Sequence, residues 1–140
     1  MRSAVCVLIE GEEPGTYIAV SRRNDYTKWG LPGGKVDPGE TNLEAVQRET
    51  FEEVGFLPHK IWLEPIYSGL CEGGEGGEGG EDFWVTTYAS RYVRMNLSDL
   101  VLEEGLQVMS LTRSNLTDPL ICPFAKYNKF VFAALEAYQS

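Results

Sequence analysis

The segment from Gly34 to Phe56 constrains this chain more than any other part, because a turn, a helix and a second turn follow one another within it. Thr41 and Glu44 have the spacing of a capping box, in which each side chain accepts a hydrogen bond from the other residue's backbone. Gly55 is typical of the position that ends a helix, since glycine adopts a left-handed backbone without strain. We therefore expect one helix between Thr41 and Gly55.

One side of this helix is predicted to be buried. The residues that share it at helical spacing are Leu43, Val46, Thr50 and Val54, with Phe51 near its edge. Ala45 lies one turn before the acidic face described next, and its methyl group is expected to leave room for a phosphate.

Glu49, Glu52 and Glu53 stand three and four residues apart, so they crowd onto an adjoining face of the helix. Like charges this close destabilise a helix unless a cation offsets their repulsion. A hard divalent cation with oxygen ligands, Mg²⁺ or Mn²⁺, fits these carboxylates. Arg48 projects beside Glu52, where its fork of donors orients a carboxylate and sets geometry rather than doing chemistry. On periodicity alone, an ordinary exposed face rich in glutamates is an equal alternative.

The segment resembles the signature of the Nudix hydrolase superfamily. That signature is a glycine, five residues, a glutamate, seven residues, Arg-Glu, a hydrophobic residue, any residue, Glu-Glu, any residue, a glycine and a hydrophobic residue. The matching residues are Gly34, Glu40, Arg48, Glu49, Glu52, Glu53, Gly55 and Phe56. Thr50 departs from it, since the family usually has an aliphatic residue there, and this bears on core packing rather than catalysis. The resemblance implies an α+β fold, an α/β/α sandwich with a mixed β-sheet between helices.

The rest of the chain is consistent with one domain over residues 1–140. Strands are expected at 3–10, 16–22, 61–71, 82–92 and 106–111, a polar loop at 24–28, a short helical turn at 96–100, a turn-rich connection at 114–120 and a helix at 124–138. The first two strands are expected side by side, and the next two as an antiparallel pair. The Gly/Glu-rich run at 72–82 is expected to be a mobile hairpin loop, most simply a tolerated insertion.

Composition excludes several classes of protein. The net charge of −9 argues against a nucleic-acid surface, although a small polyphosphate remains acceptable because bound cations invert the local field. Three widely spaced cysteines are expected to be reduced and mostly buried. The start of the chain has neither a membrane span nor a secretory cleavage site, so we expect a cytoplasmic protein without membrane contact. Nudix proteins are often dimers, but this chain carries no interface signal for a homodimer.

Several residues outside the helix are expected to bind substrate or metal by analogy with the family. The expected substrate contacts are Arg23 for phosphate, Lys35 for phosphate, Trp29 for packing or stacking, and Phe124 and Asn128 near the base. In nucleotide-cleaving relatives a residue at the start of the last helix, often an asparagine, reads the base, but the register leaves that contact open among Phe124, Lys126, Tyr127 and Asn128. The carbonyl of Gly34 is expected in the metal's ligand shell.

The expected metal ligands on the helix are Glu49, Glu52 and Glu53. Many family members carry a further glutamate outside the signature, for which Glu104 is our first choice and Glu103 the second. The general base is therefore open among Glu49, Glu53 and Glu104, and the single histidine, His59, is not expected in that role.

The predicted reaction is Mg²⁺-dependent hydrolysis of a small nucleotide. The cation lowers the pKa of a water molecule, a carboxylate removes its proton, and the water attacks one phosphorus of a nucleoside polyphosphate. Clues typical of enzymes for ADP-ribose or dinucleoside polyphosphates are missing from residues 70–73, which favours (d)NTPs, including oxidised ones, as substrates that yield the monophosphate and pyrophosphate. The alternatives are hydrolysis of ADP-ribose, diadenosine polyphosphates or capped RNA, and a non-catalytic nucleotide-binding regulator.

Overall fold

The computed structural model describes residues 1–72 and 81–139. Its strands are β1 (Arg2–Gly11), β2 (Thr16–Arg22), β3 (Asp25–Gly30), β4 (Gly33–Lys35), β5 (Leu63–Cys71), β6 (Phe83–Met95) and β7 (Val108–Thr112), and its α-helices are α1 (Asn42–Val54), α2 (Arg113–Leu116) and α3 (Ala125–Gln139). Short 3₁₀ turns lie at Lys60–Trp62 and Leu97–Asp99. Residues 73–80, most of the loop predicted at 72–82, lie outside the described residues.

The strands form one mixed sheet with the order β3-β2-β1-β6-β5. β1 and β6 run parallel, and the other pairs are antiparallel. β1 and β2 pair at Glu10 and Tyr17, whereas β4 lies along the first half of β1 and β7 along β2. The expected neighbours, β1 with β2 and β5 with β6, are confirmed. β6 occupies one edge of β1, so β4 at Ala4–Cys6 and β2 at Glu10 share the other edge. Because β1 and β2 pair only near Glu10 among the described residues, they separate towards β4.

Alternation along β1 divides the core into two layers. Val5, Val7 and Ile9 face α1 and form a buried cluster with Val46 of that helix. Leu8 faces the opposite way and joins the cluster that α3 covers, whose members include Val85, Tyr127, Val131, Phe132 and Leu135. Burying one such aliphatic side chain contributes roughly 1.5–3 kcal/mol. The expected α+β class, with a mixed sheet between helices, is confirmed.

The capping box of α1 is present as predicted. The side chain of Thr41 accepts from the backbone N–H of Glu44, and the carboxylate of Glu44 accepts from the backbone N–H of Thr41. Gly55 ends the helix with a φ of 73°. Both ends of the helix are therefore set by the residues that the sequence analysis named.

Two details of the helix's buried side differ from expectation. Phe51 is 55% exposed, because it lies beyond the edge of the stripe that meets the sheet. Ala45 is completely buried in the core cluster with β1, so its methyl group fills the core and leaves no room for phosphate. Thr50 is buried where the family usually has an aliphatic residue. Its hydroxyl donates to the carbonyl of Val46 at 2.6 Å, so the buried hydroxyl has a hydrogen-bond partner.

Other differences concern short elements at the surface. The polar loop expected at 24–28 is largely strand β3, which pairs with β2 and has exposed side chains over its first half, so hydrophobic alternation did not mark it. The turn-rich connection at 114–120 begins with α2, whose N-cap is Thr112. α3 is confirmed, although Phe124 precedes its first residue and Tyr138 is 42% exposed.

All three cysteines are free thiols, two of them buried, as expected. Among residues 1–72 and 81–139, no helix combines the length and apolar character that a membrane crossing requires.

Candidate active site

Arg48 connects the loop before α1 to the acidic face of the helix. Its guanidinium donates twice to Glu40, from Nε to Oε2 at 2.7 Å and from Nη2 to Oε1 at 2.9 Å. It also donates to Glu49 at 2.9 Å and to the carbonyl of Lys35 at 3.1 Å. Hydrogen bonds from Arg48, and then from the backbone of Asp37, lower the pKa of Glu40 to about 2. Glu40 is therefore an ionised anchor for Arg48, and its oxygens are already engaged.

Glu49 lies against the backbone of Gly34. A Cβ atom at Gly34 would lie 2.4 Å from the carboxylate carbon of Glu49, so only glycine allows this approach. Burial raises the pKa of Glu49, and its hydrogen bond with Arg48 opposes that rise. Glu52 is more exposed, and its distance of 3.4 Å to Arg48 is longer than that of Glu49.

Glu53 is the most perturbed carboxyl group of the site. Its Oε1 accepts from the backbone N–H of Gly33 at 2.7 Å, which fixes the side chain against β4. Burial raises the pKa of Glu53 to about 8, and the negative charges of Glu49 and Glu103 add to the rise. In the absence of a cation, Glu53 therefore holds a proton at neutral pH.

The donor set fits a hard divalent cation. The side chains of Glu49, Glu52 and Glu53 supply carboxylate oxygens, which Mg²⁺ and Mn²⁺ prefer. Burial makes the ionised form of Glu53 unfavourable, and a bound cation would stabilise that form. In the part of the chain that the structure describes, no three acidic, histidine or cysteine side chains converge closely enough to form a ready-made metal site. To share one cation, the glutamates would have to turn towards one another.

The two glutamates outside the helix differ in position. Glu103 lines a cavity together with Glu53, and its backbone N–H donates to the carbonyl of Glu53 at 3.0 Å. Glu104, our first choice from the sequence, has an exposed side chain and meets Arg23 through its backbone carbonyl. Arg23 also donates to the carboxylate of Glu103. Arg23 and Glu103 thus line the cavity, whereas Glu104 is not among its lining residues and contacts Arg23 through its backbone carbonyl.

The cavity has a volume of about 540 Å³ and lies between the separated strands β1 and β2. Its aromatic surface comes from Trp29, Phe83, Phe124 and Tyr127. The indole N–H of Trp29 donates to the carbonyl of Tyr26 at 3.1 Å, so this side chain is held by a hydrogen bond within β3 as well as by packing. Lys35 also lines the cavity, with its Nζ 5.8 Å from the ring centre of Phe83. A nucleotide-sized pocket therefore adjoins the carboxylates.

Asn128, in the first turn of α3, lines this cavity. The residue is 2% exposed, and its side-chain N–H groups donate to the carbonyl of Leu116 at 2.9 Å and to the sulfur of Cys122 at 3.4 Å. With both N–H bonds engaged, the amide oxygen is the polar atom that it offers to a ligand. The sequence left this position open because its direction depends on the loop before α3.

Cys6 lines the cavity but was not expected from the sequence. Its sulfur is 3.1 Å from the hydroxyl of Thr87, which lies 2.8 Å from the hydroxyl of Tyr127, and Tyr127 donates to a carbonyl of β6. The alternation of β1 and β6 would have placed Cys6 and Thr87 on one face. Glu72 and Glu81, at the ends of the acidic run, also line the cavity. They pair with Lys126 at 3.9 Å and Arg2 at 3.2 Å, respectively, and are therefore partly neutralised.

Comparison with known proteins decides the family, because the NUDIX domain profile matches residues 1–111. This chain belongs to the Nudix family. Nudix proteins generally use divalent metal ions and bind small nucleotides, which agrees with the carboxylates and cavity described above.

Individual relatives of this Nudix protein differ in the substrates that their names give. A Bacillus subtilis protein, named as a candidate 8-oxo-dGTP diphosphatase, is 46% identical over 52 residues, which is 37% of this chain and 32% of that protein. An RNA pyrophosphohydrolase of Francisella philomiragia is 48% identical over 40 residues, which is 29% of this chain and 26% of that protein. The matches thus span about a third or less of these relatives.

The whole fold is similar to that of solved Nudix structures. The MutT protein of Methanosarcina mazei superimposes with a TM-score of 0.73 at 24% identity, over 99% of this chain and 96% of that one. This similarity shows the fold.

Proposed function

We propose that this Nudix protein is a Mg²⁺- or Mn²⁺-dependent pyrophosphohydrolase that converts (d)NTPs, including oxidised ones, to the monophosphate and pyrophosphate. The observation that carries this proposal is the buried carboxyl group of Glu53, held by the N–H of Gly33 beside a nucleotide-sized cavity. Glu49 and Glu103 lie near enough for their charges to raise its pKa further. Such a group needs a cation when it ionises.

Each residue in this proposal has a defined task. Glu49, Glu52, Glu53 and the carbonyl of Gly34 would hold the cation, with Glu103 as a further ligand. When bound, the cation supplies positive charge that stabilises the phosphates and makes a water molecule more acidic. Among the carboxylates, Glu53 is our choice for the base that receives the proton of the attacking water.

The polar and aromatic lining supports a nucleotide as substrate. Trp29 and Phe124 offer aromatic faces for a base, and Lys35 offers a point charge for a phosphate oxygen. The amide oxygen of Asn128 accepts hydrogen bonds, so it matches a base edge that carries N–H donors, such as the exocyclic amino group of a purine. The relatives named above act on 8-oxo-dGTP or on RNA, according to their names. Their shared chemistry is cleavage within a polyphosphate.

One screen tests the proposal. Purified protein with Mg²⁺ is given dNTPs, 8-oxo-dGTP, ADP-ribose, a diadenosine polyphosphate and capped RNA, and the products are identified by chromatography. We expect a nucleoside monophosphate and pyrophosphate from a triphosphate, and a loss of turnover by orders of magnitude in Glu53→Gln. Glu136→Gln, an exposed change on α3, is the matched control and should keep full activity. Preferred cleavage of ADP-ribose, the diadenosine polyphosphate or capped RNA would show that (d)NTPs are not the substrate class. Nucleotide binding without turnover would indicate a regulator.

A further inference from the structure

The turn after β2 is bonded to the loop that carries Glu103. Arg23 donates from Nη2 to the carboxylate of Glu103 at 2.5 Å and from Nη1 to the carbonyl of Glu104. The backbone N–H of Asn24 donates to the carbonyl of Gly105 at 3.1 Å. Two segments about 80 residues apart in sequence are thus held together by three hydrogen bonds.

The same loop is bonded on its other side to the end of α1. Val101 donates to the carbonyl of Val54, and Glu103 donates to the carbonyl of Glu53, each at 3.0 Å. Arg23, Glu103 and Glu53 all line the cavity. Glu103 therefore lies between the guanidinium of Arg23 and the helix end that carries Glu53.

Gly105 makes this arrangement sterically feasible. Its φ of +88° is a backbone conformation that favours glycine, and a Cβ atom there would lie 2.9 Å from Cγ of Arg23. The aliphatic stem of Arg23 therefore passes close against the loop backbone. Arg23 therefore contacts the loop through its aliphatic stem as well as through its ion pair with Glu103.

We infer that Arg23 is a positioning residue, whose two-donor fork holds the 103–105 loop so that the carboxylate of Glu103 faces the cation site beside Glu53. This inference rests on the proposed function, because it concerns the same carboxylates. It differs from the expectation that Arg23 serves mainly to bind phosphate. A hydrogen-bond partner that orients a metal ligand is typically worth about 10- to 100-fold in metal affinity.

The two roles predict opposite effects on cation binding without nucleotide. A pure phosphate contact repels the cation, so its removal leaves Mn²⁺ affinity unchanged or raises it. A positioning residue holds a ligand in place, so its removal lowers Mn²⁺ affinity although a positive charge has been lost. Arg22 lines the same cavity without a hydrogen bond to this loop among the described residues, so Arg22→Gln is the charge-matched control.

The experiment is a Mn²⁺ titration, followed by the electron paramagnetic resonance of free Mn²⁺, of the full chain without nucleotide. Arg23→Gln should weaken Mn²⁺ binding by about tenfold or more, and Arg23→Lys, which keeps the charge but loses the fork, should also weaken it. Arg22→Gln should not weaken it. In a Glu103→Gln background, Arg23→Gln should have less than about a twofold further effect, because the two changes remove one interaction.

Several results would overturn the inference. One such result is that Arg23→Gln leaves Mn²⁺ affinity unchanged or raises it and increases only KM for the triphosphate. Arg23 would then be a phosphate-binding residue, and the proposed function would still hold. Additive effects of the Arg23 and Glu103 changes would also exclude positioning through Glu103. A wild-type protein that binds no Mn²⁺ and hydrolyses no triphosphate would remove the proposed function and this inference together.

Discussion

Replacing Glu53 by glutamine is expected to stabilise the cation-free protein. The carboxyl group of Glu53 has a pKa of about 8 in the folded chain, chiefly because it is buried, against an ordinary value of 4.5. Glutamine keeps the oxygen that accepts from Gly33 but has no charge to bury. The variant therefore removes an unfavourable burial without leaving the N–H of Gly33 unpaired.

The size and sign of the effect follow from proton linkage. Between pH 4.5 and pH 8 the unfolded chain has released the proton of Glu53 while the folded chain retains it, so the stability of the wild type falls as pH rises through this window. By pH 7 the difference is on the order of 3 kcal/mol. At pH 4.5 it is below about 0.5 kcal/mol, and it vanishes at lower pH, where both states hold the proton.

Urea unfolding in the presence of a chelator, at about pH 5 and pH 7, measures this effect. We expect Glu53→Gln to be more stable than the wild type by roughly 3 kcal/mol at pH 7 and by no more than about 1 kcal/mol near pH 5. Glu52→Gln, on the more exposed side of the same helix, should change stability by no more than about 0.5 kcal/mol at either pH. A Glu53→Gln protein no more stable than the wild type, or a gain independent of pH, would refute the reasoning.

Three further predictions follow from the packing around the site. Gly34→Ala should weaken Mn²⁺ binding while the fold persists by circular dichroism, because the added Cβ displaces the carboxylate of Glu49; unchanged affinity would contradict this. Thr50→Val should alter the free energy of unfolding by no more than about 1 kcal/mol in urea titrations, since it removes one hydroxyl bond to Val46, and a larger loss would show that this bond matters more than inferred. Phe124→Ala should raise KM for the triphosphate at least about fivefold by removing a stacking face, and an unchanged KM would place the base elsewhere.

The helix of the site could be predicted from sequence because its determinants are local. Thr41, Glu44 and Gly55 act within one or two turns of the helix ends, and the structure has each in its expected role. The strand expected at 3–10, which is β1 in the structure, likewise rests on a local run of strand-forming residues. Such patterns depend on residues that are close in the chain, so they can be recognised without knowledge of the tertiary contacts.

Side-chain directions at the loops could not be predicted in the same way. Whether Glu103 or Glu104 lines the cavity depends on the backbone of the loop, including the left-handed Gly105, and on the contact with Arg23. The parallel pairing of β1 with β6 likewise brings together segments about 80 residues apart. Ala45 is a further example, because its place in the core depends on how α1 docks against the sheet.

The central claim is that the clustered glutamates hold a divalent cation, and calorimetric titration of Mg²⁺ into the nucleotide-free protein tests it most directly. We expect the wild type to bind Mg²⁺ at pH 7 and to release about one proton as it does so, because Glu53 must ionise to meet the cation. Glu53→Gln should bind at least about tenfold more weakly and release no proton. Absence of Mg²⁺ uptake by the wild type, or equal uptake without proton release in both proteins, would contradict the account.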